Sequence, residues 1–143
     1  MDARVTTGRA ERKRLETLLA AHGIQATSQR LRIAELLFAH NQHCTAEQVF
    51  RALGRDGISV ARATVYNTLN LFAAQGLIKA LAVDPERCQF DSNPTPHHHF
   101  YIEDTGEVLD IAPGALELAG LPELPPGTEI QGIDVIVRLR SRA

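Results

Sequence analysis

Ala61-Arg62-Ala63-Thr64-Val65-Tyr66-Asn67-Thr68-Leu69-Asn70-Leu71-Phe72, then Leu77-Ile78-Lys79-Ala80-Leu81-Ala82-Val83, Asp84-Pro85-Glu86-Arg87 and Cys88-Gln89-Phe90, is the stretch that decides the fold class. Val65, Leu69 and Phe72 recur at the spacing of one helix face. Ser59 precedes this segment and Gly76 follows it, so a helix is predicted over about 61–75. The two apolar runs after Gly76 are separated by a proline-containing turn and read as a small β-hairpin.

The residues before this stretch predict further helices. Thr7 is positioned to cap a helix over about 9–22, with Leu15, Leu18 and Leu19 on its apolar side and Gly23 past its end. Thr27 is positioned to cap a second, in which Leu31, Ala34, Leu37 and Phe38 fall three and four apart. Thr45-Ala46-Glu47-Gln48 has the pattern of a capping box opening a third helix through Phe50 and Leu53, stopped by Gly54 and Gly57. Compact helices followed by a hairpin form the pattern of a winged helix-turn-helix, in which one helix enters the major groove and the hairpin lies against the backbone.

Asn93-Pro94-Thr95-Pro96 breaks regular structure and predicts a hinge. Residues 97–103 suit a strand because Phe100, Tyr101 and Ile102 favour one. Asp104-Thr105-Gly106 is turn chemistry, and Glu107 to Ile111 returns as a second strand. A short helix opened by Pro113 is expected over 113–120, a proline-rich loop over 121–127, and a last strand where Ile133, Val135, Val137 and Leu139 alternate. The expected class is α+β: a winged helix-turn-helix domain over 1–91, a hinge over 92–96 and a small α/β domain over 97–143.

The chain has 143 residues, 44% of them hydrophobic and 22% charged. That is enough apolar content for a core and argues against disorder. No apolar run approaches membrane-spanning length and the first residues have no apolar leader segment, so a soluble, cytoplasmic protein without a membrane partner is expected. Cys44 and Cys88 stand far apart, which excludes a cysteine-rich zinc site and argues against a disulfide framework. The net charge of −2 hides a split: residues 1–90 carry twelve Lys/Arg against eight Asp/Glu, residues 91–143 three against nine. A basic half beside an acidic half suits a polyanion-binding module joined to a cation-binding or assembly module.

On the 61–75 helix, Arg62, Thr64, Tyr66, Asn67 and Asn70 fall outside the apolar face. Arginine suits guanine or phosphate, asparagine suits adenine, and tyrosine can meet a thymine methyl or donate to phosphate. A face that is merely solvated would look the same. The other concentration of chemistry is His97-His98-His99, half of the six histidines, with Asp91, Glu103, Asp104 and Asp110 close in sequence. Imidazole with carboxylate is a ligand set for borderline divalent metals, and imidazole also ligates haem iron; a solvated strand edge requires neither. On a strand His97 and His99 share one face and His98 takes the other. A plain three-residue turn at 104–106 places Asp110 opposite Phe100, whereas a one-residue shift or a bulge at Gly106 brings it opposite His99. No general base stands out beside the cluster, so catalysis is not expected.

Ala63-Thr64-Val65-Tyr66-Asn67-Thr68-Leu69, Ala26-Thr27-Ser28-Gln29-Arg30, Thr45-Ala46-Glu47 and the later histidines occur in the order and spacing of the ferric uptake regulator family. The chain resembles that family over roughly residues 20–140. The resemblance implies a homodimeric transcription factor, or a tetramer on DNA, that binds a pseudo-palindromic double-stranded operator, with Tyr66 and Arg62 foremost in the groove. It also implies an interdomain site for Fe, Mn or Zn formed by His43, Asp91, His97, His99 and Asp110. Three departures matter: Ile102-Glu103-Asp104-Thr105 stands where the family has Cys-x-x-Cys, His98 replaces an Asp, and the final strand has no histidine. These resemble the iron response regulator branch, which implies haem as an effector bound through His97, His98 and His99 and opposing DNA binding. Neither cysteine is followed by proline, so the Cys-Pro haem motif is absent. The alternative within the family is a repressor that needs Fe²⁺ or Mn²⁺ as corepressor.

Overall fold

The computed structural model describes residues 3–84, 87–95 and 97–142; Pro85 and Glu86 of the expected turn and Pro96 of the expected hinge lie outside them. The chain divides into two compact units, Met1–Pro94 and Thr95–Ala143. The architecture is α+β, as the residue patterns imply.

The first unit runs α1 (Ala3–Ala21), α2 (Ser28–Leu37), β1 (His43–Thr45), α3 (Ala46–Arg55), α4 (Arg62–Ala74), β2 (Lys79–Asp84) and β3 (Arg87–Asp91). Helix α1 already runs through Thr7, so the expected start there is corrected to Ala3. The Thr27 hydroxyl accepts from the Arg30 N–H at 3.3 Å and opens α2. At α3 the capping box closes in both directions: the Gln48 N–H donates to the Thr45 hydroxyl at 3.1 Å, and the Thr45 N–H donates to the Gln48 side chain at 2.9 Å. Helix α4 has no side-chain cap. Its other end is sharp, because Gly76 takes φ +77° and lets the Leu77 N–H reach the Phe72 carbonyl at 2.9 Å. This is the left-handed turn that glycine adopts without the cost a Cβ would impose. The core is built from Leu15 and Leu19 of α1, Ile33 and Leu37 of α2, Leu53 of α3, Val65, Leu69 and Phe72 of α4, and Phe90 of β3, all essentially without solvent contact.

Strand β1 was not anticipated. It pairs antiparallel with β3, giving the order β1-β3-β2 and placing His43 opposite Asp91, Cys44 opposite Phe90 and Thr45 opposite Gln89. Ser92 and Gln42 extend this pairing with reciprocal bonds of 3.1 Å, and the Gln42 amide donates to the Leu36 and Leu37 carbonyls at the end of α2. The α2–β1 connection is therefore tied at both ends.

The second unit contains β4 (His99–Ile102), β5 (Glu107–Asp110) and β6 (Ile136–Leu139), in the order β5-β4-β6. Strand β5 is antiparallel to β4, and β6 is parallel to it. The β4–β5 connection has four residues, Glu103 to Gly106, closed by Gly106 N–H to the Ile102 carbonyl at 2.8 Å with Gly106 at φ +76°. That extra residue corrects the three-residue turn and sets His99 opposite Asp110. The helix expected over 113–120 does not form. Pro113, Gly114 and Gly120 crowd the segment with residues that disfavour helix continuation, and Leu118 is exposed rather than packed on a face. The last strand is shorter than its alternating pattern, starting at Ile136 instead of Ile133. Among the described residues no helix is long and apolar enough to cross a membrane.

Replacing Thr45 with alanine removes one arm of the capping box at the junction of β1 and α3. The expected outcome is a loss of about 1 kcal/mol from the first unit, read as a lower urea midpoint with an unchanged denaturant slope.

Candidate functional site

In the first unit, the β1–β3 register brings the His43 Nε2 within 3.1 Å of the Asp91 Oδ2. Asp91 is only 1% exposed, and its other oxygen accepts the Asn93 N–H at 2.9 Å. A carboxylate taken out of water needs donors or a cation. Here one oxygen is bound by the backbone and the other faces an imidazole.

In the second unit the β4–β5 register does the equivalent work. The Nε2 atoms of His97 and His99 lie 3.2 and 3.4 Å from the same Asp110 oxygen, Oδ1. The two imidazoles are 4.3 Å apart between centroids and tilted by 54°. His99 is buried, whereas Asp110 is about half exposed. The His97 Nδ1 sits 2.6 Å from the Thr95 carbonyl, an oxygen that can only accept. The Nδ1 of His97 must therefore carry the hydrogen, which leaves a lone pair on Nε2 of the neutral ring. That lone pair points toward a carboxylate oxygen, a mismatch that either a proton or a metal cation between them removes. Second-bond orientation of this kind fixes metal-binding histidines generally.

His98 behaves differently. Its Nδ1 accepts the Val135 N–H at 3.0 Å, which places its own ring hydrogen on Nε2. It lies beside an apolar cleft of about 460 Å³ walled by Ile111, Leu116, Leu118, Ile130 and Ile133.

Helix α4 presents Arg62, Tyr66 and Asn70 four residues apart, so they form one stripe, all exposed. Asn67 is exposed as well. Thr64 is half-buried and, with Asn67, lines a polar groove against Thr27, Gln29 and Arg30 at the start of α2. Arg62 is not loose: its Nη1 donates to the Glu47 carboxylate, and its guanidinium lies 4.5 Å over the Phe50 ring. The sequence reading missed Glu47 and Phe50, because a contact between α3 and α4 leaves no periodic signal in either helix.

Cys44 lies beside His43 but is not poised to ligate. Burial first, and the charge of Asp91 second, push its thiol up to about 11, so at neutral pH it holds its proton, whereas the thiolate is the form that binds metal. The unfolded thiol ionises near its ordinary value of 9.0. Between those two values the unfolded chain loses a proton that the folded chain retains. Folding stability is thus expected to fall by up to about 1.4 kcal/mol per pH unit from pH 9 toward 11, and Cys44→Ser to flatten that slope in denaturation series.

The model of the ferric uptake regulator family matches residues 21–120. The peroxide-responsive repressor PerR of Staphylococcus saprophyticus is 33% identical over 95 residues, covering 66% of this chain and 64% of the repressor. The matched segment thus spans less than two thirds of that relative's length. Among solved structures, the ferric uptake regulator of Pseudomonas aeruginosa with manganese superposes with a TM-score of 0.68 at 25% identity, covering 90% of this chain and 98% of that one. The Vibrio cholerae ferric uptake regulator superposes at 0.67 and 21% identity, covering 88% and 98%, and shares the fold.

Proposed function

The chain belongs to the ferric uptake regulator family, and on that premise we propose that it is a metal-dependent transcriptional repressor. In this reading Fe²⁺ or Mn²⁺ acts as corepressor, and Zn²⁺ suits the same donors. His43, Asp91, His97, His99 and Asp110 hold the ion, and α4 reads the operator through Arg62, Tyr66, Asn67 and Asn70, with Thr64 at the groove margin.

The observation that carries the reading is the convergence of two histidine Nε2 atoms on one Asp110 oxygen, with the His97 tautomer set by the Thr95 carbonyl. Mixed imidazole and carboxylate donors without thiolate suit Fe²⁺, Mn²⁺ and Zn²⁺. The relatives named above include a peroxide-responsive repressor and a regulator solved with manganese. In this reading the bound ion is an effector. It then favours whichever arrangement binds it more tightly, which is how an effector shifts a regulator toward its DNA-binding state.

The reading includes a homodimer on a pseudo-palindromic operator. Its support lies in the second unit, which buries only Tyr101, Val108 and Ile111 among its described large hydrophobics while Leu109, Leu118, Leu121, Leu124, Ile130, Ile133 and Leu139 stand exposed. So much exposed apolar surface on so small a unit marks an association face.

Release by haem, the finer reading that the branch resemblance implies, has less behind it. His97 and His99 are turned to Asp110, and the His98 tautomer leaves a hydrogen rather than a lone pair on Nε2. No relative reported above is named for haem.

Both readings meet in one assay. Binding to a duplex selected from random DNA is expected to drop at least about tenfold in chelator and return with Mn²⁺, and His99→Ala with Asp110→Asn should abolish the return. Retained binding in chelator, together with a Soret band and loss of binding on adding haem, would favour the haem reading. Tyr66→Ala should weaken the metal-loaded complex by about tenfold at matched salt, measured by fluorescence anisotropy.

A further inference from the structure

We propose that Glu47 determines sequence specificity at the DNA interface, by holding the Arg62 guanidinium against Phe50 in a base-reading pose and keeping it from the nearest phosphate. The inference rests on α4 being the groove-reading helix. Arg62 opens α4 and its side chain is 65% exposed. An unrestrained arginine there would meet phosphate first, since phosphates surround every approach to the groove and carry no sequence information.

Three contacts remove that freedom. The Glu47 Oε2 accepts from the Arg62 Nη1, the Phe50 ring lies under the guanidinium plane, and the other Glu47 oxygen, Oε1, accepts from the Arg51 Nε at 3.2 Å. A guanidinium has several N–H groups in a rigid planar fork, so committing one Nη leaves donors for a paired contact with a guanine edge. Glu47 itself stands in the first turn of α3, where the helix dipole favours a negative charge, and the Thr45–Gln48 capping box orders that turn without using its carboxylate.

A carboxylate so close to a DNA-reading arginine has a second effect. It repels phosphate and weakens sequence-independent binding. Favouring one partner by penalising the rest is how specificity is set where affinity alone would not discriminate.

The test uses the full chain loaded with Mn²⁺, a selected operator and a scrambled duplex, each titrated at several salt concentrations. Glu47→Ala is expected to weaken operator binding about tenfold and to strengthen scrambled binding about twofold, so the two affinities move in opposite directions. Glu47→Gln, which keeps a carbonyl acceptor for Nη1, should recover most of the lost operator affinity. In an Arg62→Ala background, Glu47→Ala should leave the operator-to-scrambled ratio unchanged. Equal strengthening of both duplexes by Glu47→Ala would overturn the proposal, reducing Glu47 to a general electrostatic brake. So would an unchanged ratio in Glu47→Ala alongside a collapsed ratio in Arg62→Ala, a pattern that leaves the α4 reading standing. If Arg62→Ala and Tyr66→Ala both leave the ratio intact, the α4 reading fails and the role of Glu47 with it.

Discussion

In an antiparallel ladder each residue has one partner directly across, and a slip of one position turns every side chain to the opposite face. The donor chemistry of this protein depends on that rule twice over. His43 faces Asp91 across β1 and β3, and His99 faces Asp110 across β4 and β5. Each unit thus presents a histidine and an aspartate whose approach is set by backbone hydrogen bonds. The side chains need little further restraint: Asn93 steadies Asp91, and Thr95 orients His97. Within each unit the pair is held by the fold itself, so the folding of the strands has already removed most of its freedom.

The outward face of α4 follows a different logic. Helix α4 devotes Val65, Thr68, Leu69 and Phe72 to the interior and keeps Arg62, Tyr66 and Asn70 outside. The same helix is thereby a structural member of the core and the carrier of the outward stripe. Its pose comes from α2 and α3, which also supply what lies next to the stripe: the polar groove beside Thr64 and Asn67, and the carboxylate and ring around Arg62. Changing the outer residues leaves the frame intact, whereas changing the inner ones would alter both.

Much of this was legible in the residues. Three- and four-residue spacing located α2, α3 and α4, and the capping box at Thr45 closes as its pattern implies. The rings of His97 and His99 do converge on Asp110, but the strand expected from 97 starts only at His99, and the Thr95 carbonyl rather than strand alternation orients His97. What stayed illegible has physical causes. Strand β1 is three residues long, too short for any period, and exists because β3 offers it a partner. The loop before Asp110 could be read with three residues or four, and its length is decided by where Gly106 turns left-handed. The helix expected over 113–120 does not form, because a helix this short needs something to pack on and Leu118 remains exposed. The pinning of Arg62 depends on two helices meeting, a fact that no local pattern records.

The topology of the second sheet has a kinetic corollary. Strands β4 and β5 are joined by four residues and can zip together as an isolated hairpin within microseconds. Strand β6 must instead return along β4 in parallel after a long connection with no helix to shorten its reach. Closing so long a loop costs chain entropy before any ladder bond is made, so this pairing forms late on the folding pathway. Nascent or heat-stressed molecules will therefore pass through a stage in which the exposed side of β4 is a ready template for another chain's strand.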